Sequence, residues 1–185
     1  GGYNLTTYQV IFMIRIYSGI GSRETPPEVC QFMKRIAQRL DANGFTLRSG
    51  WEIRADRAFE AAAHPSYLIS YRANHAEGDM AADKIFRNIH PYYDRFKNSY
   101  SINLQRRNVY QILGRDLEIP SDFVLCWTPI GSETEKQVLD RGWKDGGTGF
   151  SISVASRYGV PVFNLKNPDA LSRFYKFYEE HYSTS

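Results

Sequence analysis

Short apolar runs alternate with helical spacings along most of the chain, and the turns between them are rich in Gly, Ser and Pro. Residues 10–17 are apolar and β-branched and run straight into Ser18-Gly19-Ile20-Gly21-Ser22-Arg23, which predicts a first strand followed by a tight turn. Pro26 and Pro27 stand where a helix begins. Val29, Phe32, Met33, Ile36, Ala37 and Leu40 then recur at helical spacing until Asn43-Gly44 closes it. Residues 45–47 return as a short strand into Arg48-Ser49-Gly50, 55–63 read as a second helix and 67–71 as a third strand. This β-α-β-α-β order predicts a parallel sheet with helices on its faces.

The periodicity weakens over residues 72–98, where Asn74, His75, Gly78 and Asp79 suggest a loop and 81–89 a helix. A helix over 100–113 is stopped by Gly114, and Pro120 precedes the apolar run 123–127, a buried central strand. Residues 128–144 are polar and turn-rich. They feed Asp145-Gly146-Gly147-Thr148-Gly149, a short helix, a strand over 161–165, and a last helix over 168–181 carrying Leu171, Phe174, Tyr175 and Tyr178 on one face. The expected fold is therefore α/β, a Rossmann-like three-layer arrangement with a mainly parallel central sheet of about five strands. One domain covers residues 1–185, with an insertion at about 72–98 that the pattern leaves poorly defined.

Composition changes this picture little. A net charge of +3, from 23 basic and 20 acidic residues, is too mild to announce a nucleic-acid binder. Aromatic content of 15% is high, and helix packing is its ordinary use. Cys30 and Cys126 offer neither a disulfide framework nor metal-ligand spacing, which fits a reducing cytosol. The apolar run at residues 8–17 is broken by Arg15 and is too short to span a bilayer. Gly1-Gly2 at the start reads as a trimmed tag or an internal start. His64, His75, His90 and His181 show no ligand spacing and read as surface or loop histidines, so no metal and no cofactor is expected.

Candidate chemistry lies in the turns. In open α/β sheets the loops beyond the strand C-termini form the binding crevice. Gly19, Gly21, Ser22 and Arg23, then Ser49 and Gly50, then Thr128, and finally Gly146, Gly147, Thr148 and Gly149 would meet there. Glycines at 146, 147 and 149 allow positive φ and close backbone approach, and a following helix points free N–H groups and its positive dipole end at an anion. An ordinary loop entering a helix would read the same. Glu52 and Asp56 are candidate carboxylates for work on a glycosidic bond, with Glu60 one turn further. Asp56 could equally cap or orient the serine of the first turn. Lys97, Arg106, Arg107 and Arg115 form a modest basic cluster beside Tyr100 and Tyr110 that could attract phosphates, although an ordinary solvated helix face is the stronger reading of it.

Four of these stretches together resemble the SLOG superfamily of Rossmann-like nucleotide-binding proteins, and within it bacterial and phage proteins similar to the recombination mediator DprA. They are Gly19-Ile20-Gly21-Ser22-Arg23-Glu24-Thr25-Pro26; Leu47-Arg48-Ser49-Gly50 with Ala55-Asp56-Arg57-Ala58-Phe59-Glu60; Arg107-Asn108-Val109-Tyr110-Gln111-Ile112-Leu113-Gly114; and Gly146-Gly147-Thr148-Gly149. The resemblance implies a pocket role for Arg107 and Asn108. Two departures are informative. Where the family pattern carries glycines in its second turn, this chain has Trp51 and Arg54, and Trp51 could either stack on a base or cover the edge of the core. The superfamily's phosphoribohydrolase loop is altered too: Asp145 replaces its proline, Thr148-Gly149 inverts a dipeptide, and Ser153 falls near the place of its glutamate. That counts against the hydrolase activity.

The expected function is binding of a nucleotide or nucleotide-derived phosphate ligand, a signalling nucleotide included, at the C-terminal edge of the sheet. The first alternative is an enzyme acting on a nucleotide N-glycosidic bond, assisted by Glu52 or Asp56. The second is a single-stranded DNA binder of the DprA kind. The resemblance also implies a homo-oligomer in the cytoplasm of a bacterium or phage-infected cell, away from membranes.

Overall fold

The computed structural model describes residues 14–50 and 52–182. Its centre is a five-stranded sheet in the order β3-β2-β1-β4-β5. The strands are β1 (Ile16–Gly19), β2 (Thr46–Ser49), β3 (Leu68–Ser70), β4 (Phe123–Cys126) and β5 (Val162–Asn164). All four pairings are parallel, and Tyr17 lies between Leu47 of β2 and Phe123 of β4. Parallel neighbours need crossovers, which the helices supply. In order these are α1 (Pro27–Ala42), α2 (Ala55–Ala62), α3 (Met80–Ile89), α4 (Ser99–Leu113), α5 (Glu135–Asp140), α6 (Gly147–Arg157) and α7 (Ala170–Tyr182). The expected Rossmann-like three-layer fold is the one observed.

Strand alternation sorts the helices into two layers. Tyr17, Leu47, Phe123 and Leu125 face α1, α2 and α7, meeting Met33, Leu40, Phe59 and Phe174. Val124, Cys126 and Val162 face the other way, against Phe86 of α3, Val109 and Ile112 of α4, and Phe150 and Val154 of α6. Each layer is a closed apolar cluster. Pro26 and Pro27 start α1, as their fixed φ and missing N–H favour, and the chain leaves it through Gly44 at φ +80°. Asn98 caps α4 by accepting from the Tyr100 and Ser101 N–H groups at 2.8 and 3.3 Å. Gly114 ends it at φ +77°, and a Cβ there would stand 2.7 Å from the Arg48 guanidinium.

Of the strand expected over residues 10–17, residues 10–13 lie outside the described part, and Ile14 and Arg15 precede the strand, Arg15 at φ +57°, so β1 begins at Ile16. The poorly defined region 72–98 holds a helix that packs into the fold. Its helix α3 is capped by Asp79 and joined to α4 by Asp83, which pairs with Arg87 at 2.7 Å and with Arg106 at 3.0 Å. The polar stretch 128–144 holds a helix that periodicity misses: α5 buries only Val138, so it shows no apolar stripe. A local signal exists in Thr134-x-x-Gln137, since the Thr134 hydroxyl accepts from the Gln137 N–H at 3.1 Å. Among the described residues no helix is long and apolar enough to cross a membrane.

Candidate functional site

In this strand order the winding runs outward to one side from β1 and to the other side from β4, and a cleft of about 330 Å³ opens above the C-terminal ends of these two parallel strands. The first turn, the start of α2, one side of α4 and the start of α6 line it.

The first turn continues the pairing of β1 with β4 beyond the strands. The Ile20 N–H donates to the Leu125 carbonyl at 3.1 Å and the Ser22 N–H to the Trp127 carbonyl at 3.0 Å, so these two backbone donors are spent within the fold. The Ser22 hydroxyl accepts from the Glu24 N–H at 3.0 Å. Gly21, Ser22 and Arg23 line the cleft as expected. Gly19 does not, because it packs beneath the turn where a Cβ would meet the Phe59 ring at 2.6 Å.

In the second turn Asp56 is the organiser. Its Oδ2 accepts from the Gly50 N–H at 3.0 Å and the Glu52 N–H at 3.3 Å, so it braces this turn and not the first-turn serine. It is buried yet lines the cleft, and burial pushes its carboxyl up to about 7 against the opposing pull of Arg107. Ser49 is fully buried and its hydroxyl has no partner among the described residues. Trp51 lies outside the described residues. Glu52 bridges Arg23 at 3.2 Å and Arg107 at 3.4 Å.

On α4, Arg107 is 4% exposed, and most of its donors hold the fold together. It donates to the Gly50 carbonyl, to the Tyr71 carbonyl at 3.1 Å and to Asn108 Oδ1 at 3.1 Å. Arg107 thus fastens the turns after β2 and β3 to α4 and brings one edge of its guanidinium to the cleft beside Glu52 and Asn108. Gly50 must be glycine for this, since a Cβ would stand 2.8 Å from Arg107 Nη1. The basic residues near Arg107 do not join it in a cluster at the cleft. Arg106 turns to Asp83, Arg115 donates to the His75 carbonyl at 3.3 Å and Lys97 is exposed.

The cleft wall also holds Gln105 and Gln111, which sequence reasoning passed over. Gln105 is 9% exposed, and its Oε1 is buried without a hydrogen-bond partner among the described residues. Gln105, Asn108 and Gln111 form a polar stripe at spacings of three, and that periodicity was the missed signal.

The α6 side is the glycine loop. Of the three glycines that allow positive φ, Gly146 alone among them uses it, at φ +70°, while Gly147 and Gly149 lie within α6. Among the described residues no side chain caps this eleven-residue helix, and Gly147 and Thr148 of its first turn line the cleft. Gly146 is exposed beside them, and Gly149 is buried, 3.2 Å from the Asp145 Cβ by its own would-be Cβ. Asp145 anchors the loop by accepting from the Thr128 hydroxyl at 2.5 Å, the Ser132 N–H at 3.1 Å and the Ser132 hydroxyl at 2.7 Å. Thr128 also accepts from the Gly131 N–H and Asn164 Nδ2, so it is fully engaged and buried behind the cleft instead of lining it.

His90 lies in the loop that follows α3, as expected, but is buried there and not at the surface. It is 5% exposed, 4.7 Å from Trp143 and 5.1 Å from Phe96 between ring centres, and burial pushes its imidazole down to about 4. Among the described residues no three His, Cys, Asp or Glu side chains gather as a metal would require. Comparison of the chain with known proteins found no matching family model, no matching curated protein and no matching solved structure.

Proposed function

We propose that the protein binds a nucleotide or nucleotide-derived phosphate ligand in the cleft between the first turn, α4 and α6. One observation carries this reading: an uncapped helix N-terminus, a serine–arginine turn and a row of buried amide side chains converge on one crevice at the topological switch point. The N-terminus of α6 offers N–H groups and a positive dipole end to a phosphate. The buried Oε1 of Gln105, without a partner among the described residues, offers an acceptor to a hydroxyl or amine, the complement of a ribose or a base edge. Motifs that resemble the SLOG superfamily line or brace this crevice, which supports membership in it. A homo-oligomer in the cytoplasm belongs to the same proposal.

The test is calorimetric titration with a panel of nucleotides against wild type and Gly147→Val. Apart from its chain neighbours and its own helix backbone, no atom of the described residues lies within 4 Å of a Cβ placed on Gly147, so valine would fill ligand space and not core. Loss of binding at an unchanged melting temperature is expected, and equal binding by the variant would reject the site.

A second reading is favoured by Asp56 alone. A carboxyl near 7 in a cleft has the half-protonated character that suits general acid or base catalysis at an N-glycosidic bond. Asp56→Asn retains an oxygen for the Gly50 and Glu52 N–H groups while removing the titration. If base release from a nucleotide occurs, this variant should abolish it while leaving binding within about three-fold. Undiminished release would exclude Asp56 as the catalytic group.

A further inference from the structure

Glu52 stands between two cavities. Its carboxylate, with Arg23 and Arg107, forms a wall common to the 330 Å³ cleft and to a second cleft of about 620 Å³. The second cleft also takes in Arg57 and Arg72, and Tyr100, which is 62% exposed, stands on its rim. The wall is a carboxylate held in a fork of two guanidinium groups. Glu52 Oε2 meets Arg23 Nε and Nη2 at 3.2 Å each, and Oε1 meets Arg107 Nη2 at 3.4 Å. These contacts are longer than the 2.7–2.9 Å typical of strong charge-assisted bonds, and the Arg23 side chain is 67% exposed, so the hold on Glu52 is weak. Arg107 is different, because three other acceptors fix its guanidinium in place with or without Glu52. The Glu52 main chain is fixed as well, through the bond of its N–H to Asp56, so only the side chain has to swing.

A carboxylate in such a fork has the demands of a phosphate: planar donors, two oxygens, negative charge. A phosphate supplies more oxygens and more charge, and guanidinium groups bind it bidentately. Resting on the reading of the first cleft as a nucleotide site, we propose that Arg23 and Arg107 seat a bridging phosphate, that Glu52 occupies its place in the ligand-free protein, and that the ligand is a pyrophosphate or phosphodiester with one substituent in each cleft. The sizes of the two cavities and the ring of Tyr100 suit a nucleoside on either side. Release of Glu52 joins the cavities, so the ligand opens its own site by displacing an internal mimic.

Calorimetry with diadenosine pyrophosphate, inorganic pyrophosphate, AMP and a single-stranded oligonucleotide tests this on wild type, Glu52→Gln and Arg23→Ala. Glu52→Gln removes the competing charge at nearly constant shape. It should bind diadenosine pyrophosphate and pyrophosphate on the order of ten-fold more tightly than wild type, with AMP gaining less. Arg23→Ala should weaken both diphosphates by a larger factor than it weakens AMP. Melting curves accompany each titration, and if Glu52→Gln does not fold, Glu52→Asp, too short to reach both guanidinium groups, should show the same gain. Unchanged or weaker diphosphate binding by a folded variant overturns the inference, as does binding of the oligonucleotide without the dinucleotide. AMP binding that is lost in Gly147→Val but indifferent to Glu52 would reject the bridging phosphate and keep the nucleotide site. Binding of none of these probes by any of the proteins rejects both.

Discussion

At the scale of single residues, glycines that look alike in sequence do different work. Gly147 faces open space, whereas a Cβ on Gly21 would lie 2.5 Å from the Ala55 Cβ, which belongs to the first residue of α2 and cannot rotate away. Gly21→Ala should therefore force α2 off the turn and destabilise the protein by about 1–3 kcal/mol in chemical denaturation, with binding harmed only as a consequence. Gly147→Val should do the reverse. If the two variants behaved alike, the division between a packing glycine and a ligand-facing glycine would be wrong. Arg107 belongs in the same comparison. Arg107→Ala would strand the Gly50 and Tyr71 carbonyls and cost about 3 kcal/mol, while exposed Lys97→Ala should leave both stability and binding unaltered. A stable Arg107→Ala protein that simply bound less well would return Arg107 to a purely ligand-facing role.

At the scale of elements, the cleft depends on how the start of α6 is held. Asp145 takes three hydrogen bonds from Thr128 and Ser132, and Asn164 of β5 donates to Thr128 Oγ1 at 2.8 Å and to the Ser132 carbonyl at 3.0 Å. This buried knot fastens the loop after β4 to β5 and sets where the first turn of α6 points. Asp145→Ala would leave those donors unpaired and should cost about 3 kcal/mol in stability. It should also weaken nucleotide binding, although Asp145 contributes no atom to the cleft wall. Titration of the variant well below its melting temperature separates the two effects, and unaltered affinity there would show that α6 is positioned by its apolar packing alone.

At the scale of the whole molecule, buried titratable groups give stability a pH dependence with a definite sign. Burial raises Asp56 and Asp122 to about 7, so between pH 4 and 7 the folded chain holds protons that the unfolded chain has released, and stability falls as pH rises through that window. His90, lowered by burial to about 4, acts in the opposite sense between about 4 and 6.5. Two carboxyls outweigh one imidazole, and the net trend should be a decline from pH 4.5 to 7 that levels off above it. Asp122 accepts from the Tyr182 hydroxyl at 2.7 Å and the Arg15 N–H at 3.2 Å, contacts that an asparagine oxygen can keep. Asp122→Asn should therefore gain stability relative to wild type at pH 8 but not at pH 4.5. An identical pH profile for the two proteins would mean that Asp122 titrates as an ordinary carboxyl.

Much of this architecture is written locally, because hydrophobic burial and backbone geometry act over a few residues. The apolar run at Phe123–Cys126, the helical spacing from Met33 to Leu40, the prolines at 26 and 27 and the stop at Gly114 each determine an element, and their order determines a parallel sheet with covered faces. The turns that line the cleft were legible for the same reason, since a turn that follows a buried strand must emerge at the sheet's C-terminal edge. Partnership was not legible. Nothing local tells that Arg107 spends its donors on two carbonyls, that Asp56 braces the second turn, that Thr128 is sealed behind Asp145, or that Glu52 lies in a fork between Arg23 and Arg107. A polar side chain carries the same label in solvent, in a buried network or at a ligand. Only the tertiary structure decides among these, because desolvation and hydrogen bonding depend on residues distant in sequence that folding brings within about 3 Å.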